Sequence, residues 1–116
     1  MSKQTMCFSQ SCESRRERWT RSICLERSIS QKLVQERIYR LESLLDHMLH
    51  GHAVVAFHRK DGEFRLTKAT LIRYDWFFRK PFSINEIKHT IPYWDVSEQG
   101  WRTFELENFL EWRPVA

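Results

Sequence analysis

The chain has 116 residues, of which 41% are hydrophobic and 14% aromatic, and it carries a formal net charge of +4. This length supports a single domain with a modest core, and the aromatic content argues against an intrinsically disordered chain. No apolar run approaches the roughly 20 residues of a membrane-spanning helix, so we expect a soluble, cytoplasmic protein with no membrane partner.

The charge is unevenly distributed along the chain. Residues 52–90 carry eight basic and four acidic side chains, whereas residues 91–116 carry two basic and five acidic ones. A basic face can attract phosphate groups or an acidic partner. The alternative is that both faces are simply solvated, as in many small domains.

Residues 1–27 form a basic N-terminal arm that is rich in Ser and Arg and lacks apolar periodicity. This composition predicts a segment that is mobile unless packing or a partner orders it. Arg15, Arg16 and Arg18 surround Trp19, and an arginine-rich arm with one aromatic ring suits contact with a nucleic-acid backbone. Basic terminal segments also occur without that role.

Residues 28–51 predict an amphipathic helix. Ser28 and Gln31 fit a capping box, and Gly51 provides a C-terminal stop. Apolar residues recur at steps of three and four positions and form one stripe: Leu33, Val34, Ile38, Leu41, Leu44, Leu45, Met48 and Leu49. Core packing is the default for this stripe, and its N-terminal part is also available to pack the arm or to form a homodimer.

Residues 52–116 predict a small barrel built from hairpins. The first hairpin turns at Asp61-Gly62, a strong hairpin signal, and the inward face of its second strand is expected to change near Lys68 across a bulge or bend. The second hairpin turns at residues 97–100, with Gly100 expected at positive φ. The predicted fold class is α+β: an N-terminal amphipathic helix followed by a five-stranded antiparallel barrel of SH3/Sm-like type.

Residues 75–90 are the least regular segment and combine aromatic rings with cations. Such a combination suits a platform for single-stranded nucleic acid, because rings stack on bases while Lys and Arg contact phosphates. The stacking candidates are Trp76 and Phe78. The candidate phosphate contacts are Arg59, Lys60, Arg65, Lys68, Arg73, Arg79 and Lys80. The alternative is that these rings cover one end of the barrel.

The sequence carries no motif of a common enzyme class. It has no Gly-x-Ser-x-Gly elbow and no His-Glu-x-x-His, and its three glycines do not form a phosphate-binding loop. Cys7, Cys12 and Cys24 are odd in number and lack a second ligand pair, which favours free thiols over disulfides or a zinc site. We therefore expect a protein that is not an enzyme and has no cofactor or metal.

Three groups of residues resemble a known family: Leu49-x-Gly51, Phe57-x-x-Lys60-Asp61-Gly62-x-x-Arg65, and Tyr93-Trp94-Asp95 followed by Gly100-Trp101-Arg102-Thr103-Phe104-x-Leu106. Together they look like the small stand-alone WYL-like family, over roughly residues 41–112. The resemblance implies an Sm-like, SH3-type barrel behind an N-terminal helix.

The same resemblance implies a function linked to nucleic acid. Larger WYL proteins are bacterial regulators whose barrel is thought to sense nucleic acid or a nucleotide-like ligand, and the small members recur in phages and other mobile elements. The family pattern continues with basic residues where this chain has Glu105 and Glu107, and only Arg102 keeps the basic character. Carboxylates repel phosphate, so the first hairpin, the 75–90 segment and the arm are better candidates for contact.

These observations favour a nucleic-acid-associated regulator from a bacterial mobile element or phage, whose partner is RNA, single-stranded DNA or a host protein that handles nucleic acid. The alternative is a phage-encoded inhibitor, an anti-CRISPR or other anti-defence protein that binds a host nuclease or its guide RNA. Small size and a surface charge of both signs suit such an adaptor. A self-assembling structural barrel is a third hypothesis.

Overall fold

The computed structural model describes residues 15–23 and 31–115. It contains three α-helices, α1 (15–23), α2 (Gln31–Met48) and α3 (Tyr74–Phe78), and two 3₁₀ turns at Ile84–Glu86 and Leu106–Asn108. The five strands are β1 (His52–His58), β2 (Phe64–Thr70), β3 (Thr90–Asp95), β4 (Gly100–Glu105) and β5 (Phe109–Pro114).

The strands form one antiparallel sheet in the order β4-β3-β2-β1-β5. β1 pairs with β2 along its whole length, whereas β2 reaches β3 only through Ala69 opposite Asp95 and Thr70 opposite Trp94. The β3–β4 hairpin is therefore joined to the rest of the sheet by a short ladder. The prediction of five antiparallel strands behind a helix is confirmed. No ladder joins β4 to β5 among the described residues, so closure into a barrel stays a prediction.

Helix α2 packs its predicted stripe into the core. Its fully or nearly buried residues are Val34, Ile38, Leu41, Leu44, Leu45 and Met48. Leu33 and Tyr39 remain exposed, so a homodimer through this helix stays a prediction. The predicted cap residue Ser28 lies outside the described residues.

The end of α2 differs from the expectation for a glycine stop. Gly51 is not in the left-handed region. Instead, the carbonyl of Met48 accepts hydrogen bonds from the Leu71 amide at 2.8 Å and the Thr70 hydroxyl at 3.2 Å. Because the end of β2 satisfies the terminal carbonyl, the helix stops without a left-handed residue.

Packing orders part of the basic arm. Residues 15–23 are helical, and the side chains of Trp19 and Ile23 are fully buried. The indole N–H of Trp19 donates a hydrogen bond to the carbonyl of Ile87 at 3.1 Å. This part of the arm therefore belongs to the folded domain; the three cysteines lie outside the described residues.

The inward face of β2 does not change near Lys68, contrary to the sequence-based expectation. Thr67 and Ala69 are buried, whereas Phe64 and Leu66 are exposed on the outer face. The ladder with β1 is regular, so one set of alternate positions faces inward throughout. The hydrophobicity of Phe64 and Leu66 had suggested burial that the register does not allow.

The free edge of β5 is capped by side chains. Arg37 donates to the carbonyl of Phe109 at 2.8 Å, and Arg40 donates to that of Trp112 at 2.7 Å. Burial alone would raise the pKa of Glu111, but hydrogen bonds from the Trp112 amide and Arg40, with the charges of Arg40 and Arg113, hold that pKa below its ordinary value. The backbone carbonyls of Phe109 and Trp112 are therefore already hydrogen-bonded and do not pair with a further strand.

The two hairpin turns place their left-handed residue differently. Gly62 has φ 92°, as the Asp-Gly signal predicts. In the β3–β4 turn the left-handed residue is Gln99, with φ 55°, and not Gly100 as expected. The Gln99 amide donates to the Asp95 carbonyl at 2.7 Å, and the Glu98 amide donates to the Asp95 side chain at 3.1 Å. These hydrogen bonds place the left-handed residue of the turn at Gln99, one position before Gly100.

We expect Gly62→Ala to lower the free energy of unfolding by about 1 to 2 kcal/mol, because a side chain is strained at positive φ. No atom lies within 4 Å of the added Cβ, so the loss comes from the backbone alone. Gly100→Ala is the matched control: its Cβ also meets nothing within 4 Å, but its φ is not positive. Urea denaturation of both variants measures the difference, and equal stabilities would contradict this assignment.

Candidate nucleic-acid interface

The segment predicted to be irregular, 75–90, begins within a helix, because α3 covers Tyr74–Phe78; none of the five residues of α3 is buried. Trp76 is 69% exposed, and its neighbours Phe77 and Phe78 are also exposed. Three consecutive large rings therefore reach solvent on one short element. We call Trp76, Phe77 and Phe78 the aromatic surface.

A second layer of rings supports the aromatic surface. Trp101 of β4 is half-buried, and its ring centroid lies 5.0 Å from that of Phe78 and 5.6 Å from that of Phe77. Trp94 of β3 lies 5.5 Å from Phe77, and Tyr74 lies 4.6 Å from Phe78. Aromatic pairs at these separations attract each other beyond simple area burial. The inner rings thus hold α3 on the β3–β4 hairpin while the outer rings stay open.

Two strained backbone positions flank this surface. Arg79, which ends α3, has φ 58°, and Gln99 in the β3–β4 turn has φ 55°. In the described part of the chain these are the only residues other than glycine with positive φ. Such a conformation costs a residue other than glycine about 1 to 3 kcal/mol, and at Arg79 it is the left-handed residue that ends a helix.

Three of the predicted phosphate contacts adjoin the aromatic surface. Arg73 immediately precedes α3, Arg79 ends it and Lys80 follows; all three are exposed. Lys80 Nζ lies 3.6 Å from Glu86 Oε1, but both side chains are more than half exposed, and such pairs contribute little to stability. The structure thus brings Arg73, Trp76, Phe78, Arg79 and Lys80 together in one segment, residues 73–80.

Arg59 and Lys60 lie elsewhere, at the tip of the β1–β2 hairpin. They line two neighbouring clefts to which Glu105 also contributes, and Glu107 lines one of these. Arg59 is paired with Glu63 at 3.3 Å. Acids and cations therefore share this region, and the carboxylates partly offset the attraction of Arg59 and Lys60 for phosphate.

Arg65 and Lys68 lie on β2, outside residues 73–80. Burial raises the pKa of Tyr93, the Asp95 carboxylate raises it further, and the guanidinium groups of Arg102 and Arg65 oppose both. The half-buried Arg65 therefore lies close enough to Tyr93, on the inner side of the sheet, for its charge to affect that pKa. Lys68 is exposed on the outer face, paired across the ladder with Val54.

The arm residues are engaged within the domain. Arg15 is buried; its Nη1 donates to Glu42 at 2.9 Å and its Nε to Asn85 at 3.0 Å. Arg16 contacts both carboxylate oxygens of Glu42 at 3.0 Å. The Nε of Arg18 is buried without a hydrogen-bond partner. Contact between phosphate and Arg15 would require breaking these bonds.

Sequence reasoning missed three residues of the site. Phe77, Trp94 and Gln99 line a cleft beside α3 together with Arg73 and Trp76. Phe77 and Trp94 were visible as aromatic residues, but nothing local indicates that a β3 ring meets α3. Gln99 carried no signal, because the adjacent glycine was the expected left-handed residue.

Two kinds of site are not found in residues 15–23 and 31–115. No three His, Cys, Asp or Glu side chains there are grouped to hold a metal ion. No helix within those ranges combines the length and apolarity needed to cross a bilayer.

The antiparallel sheet, its helix and the surface around α3 define a small β-domain with an exposed aromatic and basic segment. Residues 41–110 match the model of the WYL_2 family, described as an Sm-like SH3 β-barrel fold. The chain belongs to this family, as the sequence motifs indicated. No curated protein and no solved structure matches the chain. The family match does not bear on a phage origin or on nuclease inhibition, which stay predictions.

Proposed function

We propose that this WYL_2 domain is a non-enzymatic module that binds single-stranded nucleic acid through residues 73–80, as part of a nucleic-acid-associated regulator. The observation that carries the proposal is the exposure of Trp76, 69%, within a run of rings bordered by cations. Exposed rings stack on unpaired bases of any sequence, while Arg and Lys contact the phosphates between them.

The alternative role for these rings, covering one end of the sheet, accounts for the inner layer only. Tyr74 and Trp101 pack against the core, whereas Trp76 is 69% exposed and Phe78, which packs on both inner rings, is still 43% exposed. Contiguous exposed apolar groups usually mark a binding site. A segment that only covered the sheet would bury its largest ring and expose its smaller ones.

The dimensions of α3 favour a single strand over duplex DNA. A recognition helix reads base edges by lying in the major groove, and α3 has only five residues, little more than one turn. Stacking requires bases that are not already stacked in a helix. We therefore expect single-stranded RNA or DNA to bind more tightly than a duplex of the same sequence.

Fluorescence anisotropy with labelled single-stranded RNA, single-stranded DNA and duplex DNA tests the proposal. Affinity should fall as salt rises, because each phosphate contact contributes roughly 0.7 to the slope of log K against log salt on a single strand. Arg79→Ala with Lys80→Ala should lower affinity and flatten the slope, while Lys32→Ala, an exposed lysine on α2, should not. Absence of binding at low salt would refute the proposed function.

Trp76→Ala should weaken binding roughly 5- to 150-fold, the effect of losing about 1 to 3 kcal/mol of stacking on one base. Because this ring is exposed, the stability of the fold should change little. Tyr39→Ala is the matched control, since Tyr39 is 68% exposed and lies on α2. An equal loss of affinity in both variants would show that the effect is not specific to α3.

A protein partner is the second candidate, and the exposed outer face of β2 favours it. Leu66 is 63% exposed and Phe64 is also exposed, on a sheet face that is usually polar. The inhibitor hypothesis predicts a stoichiometric host nuclease that is retained after nucleic acid is digested and lost in a Leu66→Thr variant. Retention that depends on intact nucleic acid would instead support the first candidate.

A further inference from the structure

A cleft of about 510 Å³ opens beside α3, between that helix, the end of β2 and the β3–β4 turn. Its walls combine the rings of Trp76, Phe77 and Trp94 with the polar side chains of Arg73 and Gln99. We propose that this cleft receives one unstacked nucleobase of the bound strand, and that Gln99 contacts the edge of that base. The inference rests on the proposed function and adds a defined subsite to it.

The size of the cleft suits one nucleotide and not a longer segment. Small-molecule sites in proteins measure about 300 to 1,000 Å³, and this cleft of about 510 Å³ lies in the lower half of that range. Adjacent bases would have to stack outside it, on the exposed faces of the aromatic surface. The cleft therefore adds one partly open position beside the sequence-tolerant platform, and Trp76 and Phe77 belong to both.

The wall chemistry matches the parts of a nucleotide. Phe77 and Trp94 both line the cleft and pack against each other with ring centroids 5.5 Å apart, so a flat ligand would stack beside this pair and not between its rings. The guanidinium of Arg73 can form charge-assisted hydrogen bonds with a phosphate. A glutamine amide offers two donors and one acceptor, which suits the mixed donors and acceptors of a base edge.

The backbone of Gln99 supplies an independent reason to assign it a role. Gln99 has φ 55°, a conformation that glycine adopts without strain, and Gly100 stands next to it at an ordinary φ. A side chain in the left-handed region persists only where the surroundings impose it, and such strain is concentrated at ligand sites. At Gln99 the hydrogen bonds of the turn to Asp95 impose the conformation, and the residue that carries it lines the cleft.

The test uses single-stranded oligonucleotides that carry either 2-aminopurine or an abasic residue at one central position. Stacking quenches 2-aminopurine, so transfer from its neighbouring bases into the cleft should change its emission, and the abasic strand should bind more weakly. Gln99→Gly should weaken binding of the complete strand about 2- to 13-fold, as for one lost neutral hydrogen bond, and leave the abasic strand unaffected. Its stability should not fall, because glycine relieves the strain. Ser97→Ala, a substitution of an exposed residue in the same turn, should change the affinity for neither the complete nor the abasic strand.

The outcomes separate the two proposals. If the strands bind but the emission of 2-aminopurine does not change, or Gln99→Gly affects the complete and abasic strands equally, the base subsite is refuted and the proposed function stands. If no strand binds, the proposed function fails, and titration with adenosine monophosphate then decides the subsite. Shifts of the Trp76 and Trp94 indole NMR signals would support a nucleotide cleft, and unchanged signals would refute it.

Discussion

Replacing Trp19 with alanine is expected to lower the free energy of unfolding by about 3 to 5 kcal/mol, as for other large aromatic residues removed from a core. Trp19 is fully buried, and its indole N–H is bonded to the carbonyl of Ile87 at 3.1 Å. The Arg15 guanidinium also lies 5.0 Å from the centre of the ring. The substitution removes all three interactions and leaves a cavity between α1 and the rest of the domain.

Urea denaturation measures this loss, with Arg21→Ala as the control because Arg21 is exposed on the same helix. A surface substitution of that kind should change stability by no more than about 0.5 kcal/mol. The total free energy of unfolding of a native domain is only about 5 to 15 kcal/mol, so the Trp19→Ala variant should be close to unfolding. Trp19→Phe leaves a smaller cavity and gives a second measurement. Equal stabilities of the Trp19 and Arg21 variants would show that α1 is not docked in solution.

The parts of the fold that sequence reasoning predicted correctly are those with a local signal. The helix at α2 shows as a three- and four-residue apolar period, and its buried residues are those of the period except Leu33, which is exposed, and Leu49, which follows the helix and is half-buried. The Asp-Gly turn at Gly62 shows as a pair of residues with a known conformation. In both cases, neighbouring residues in the chain determine the structure.

The burial of Trp19 has no such signal, because it depends on a contact with Ile87, 68 positions away in the chain. In a short arginine-rich segment one tryptophan does not create a period, so exposure and burial are equally consistent with the sequence. The outer position of Leu66 was missed for a related reason. Alternation tells which residues share a face, and only the pairing of the whole strand tells which face is inside.

The sequence predicted most of the residues of the α3 segment that belong to the candidate site, but not which residues of other strands and turns join it. Trp76, Arg79 and Lys80 are close in the chain, so their proximity in space followed from sequence. Arg59 and Lys68 are equally basic, but they belong to the hairpin tip and to the outer sheet face. The contribution of the β3–β4 turn to the cleft arises from tertiary packing against α3, which periodicity does not encode.

The arginines of the arm could either dock α1 on the domain or contact phosphate, and substitution of Glu42 distinguishes these two roles. This carboxylate accepts hydrogen bonds from Arg15 at 2.9 Å and from Arg16 at 3.0 Å. The Arg15 side chain is only 8% exposed and that of Glu42 only 18%. Removing one member of a buried ion pair leaves an uncompensated charge, which typically costs 3 to 5 kcal/mol. We expect Glu42→Ala to lower the free energy of unfolding by about 3 kcal/mol, because Asn85 and the Trp19 ring still contact Arg15.

Glu36→Ala, on the exposed side of α2, is the control and should be nearly neutral. Arg15→Met combined with Glu42→Leu should recover most of the loss, since apolar residues of similar volume often replace a buried pair without destabilisation. Affinity for single-stranded nucleic acid supplies the second measurement. If the pair serves only to dock α1, Glu42→Ala changes stability and leaves affinity unchanged below the unfolding transition. If Arg15 and Arg16 contact phosphate, removing their competing carboxylate raises affinity and steepens the salt dependence, and the interface then extends from α3 to the arm.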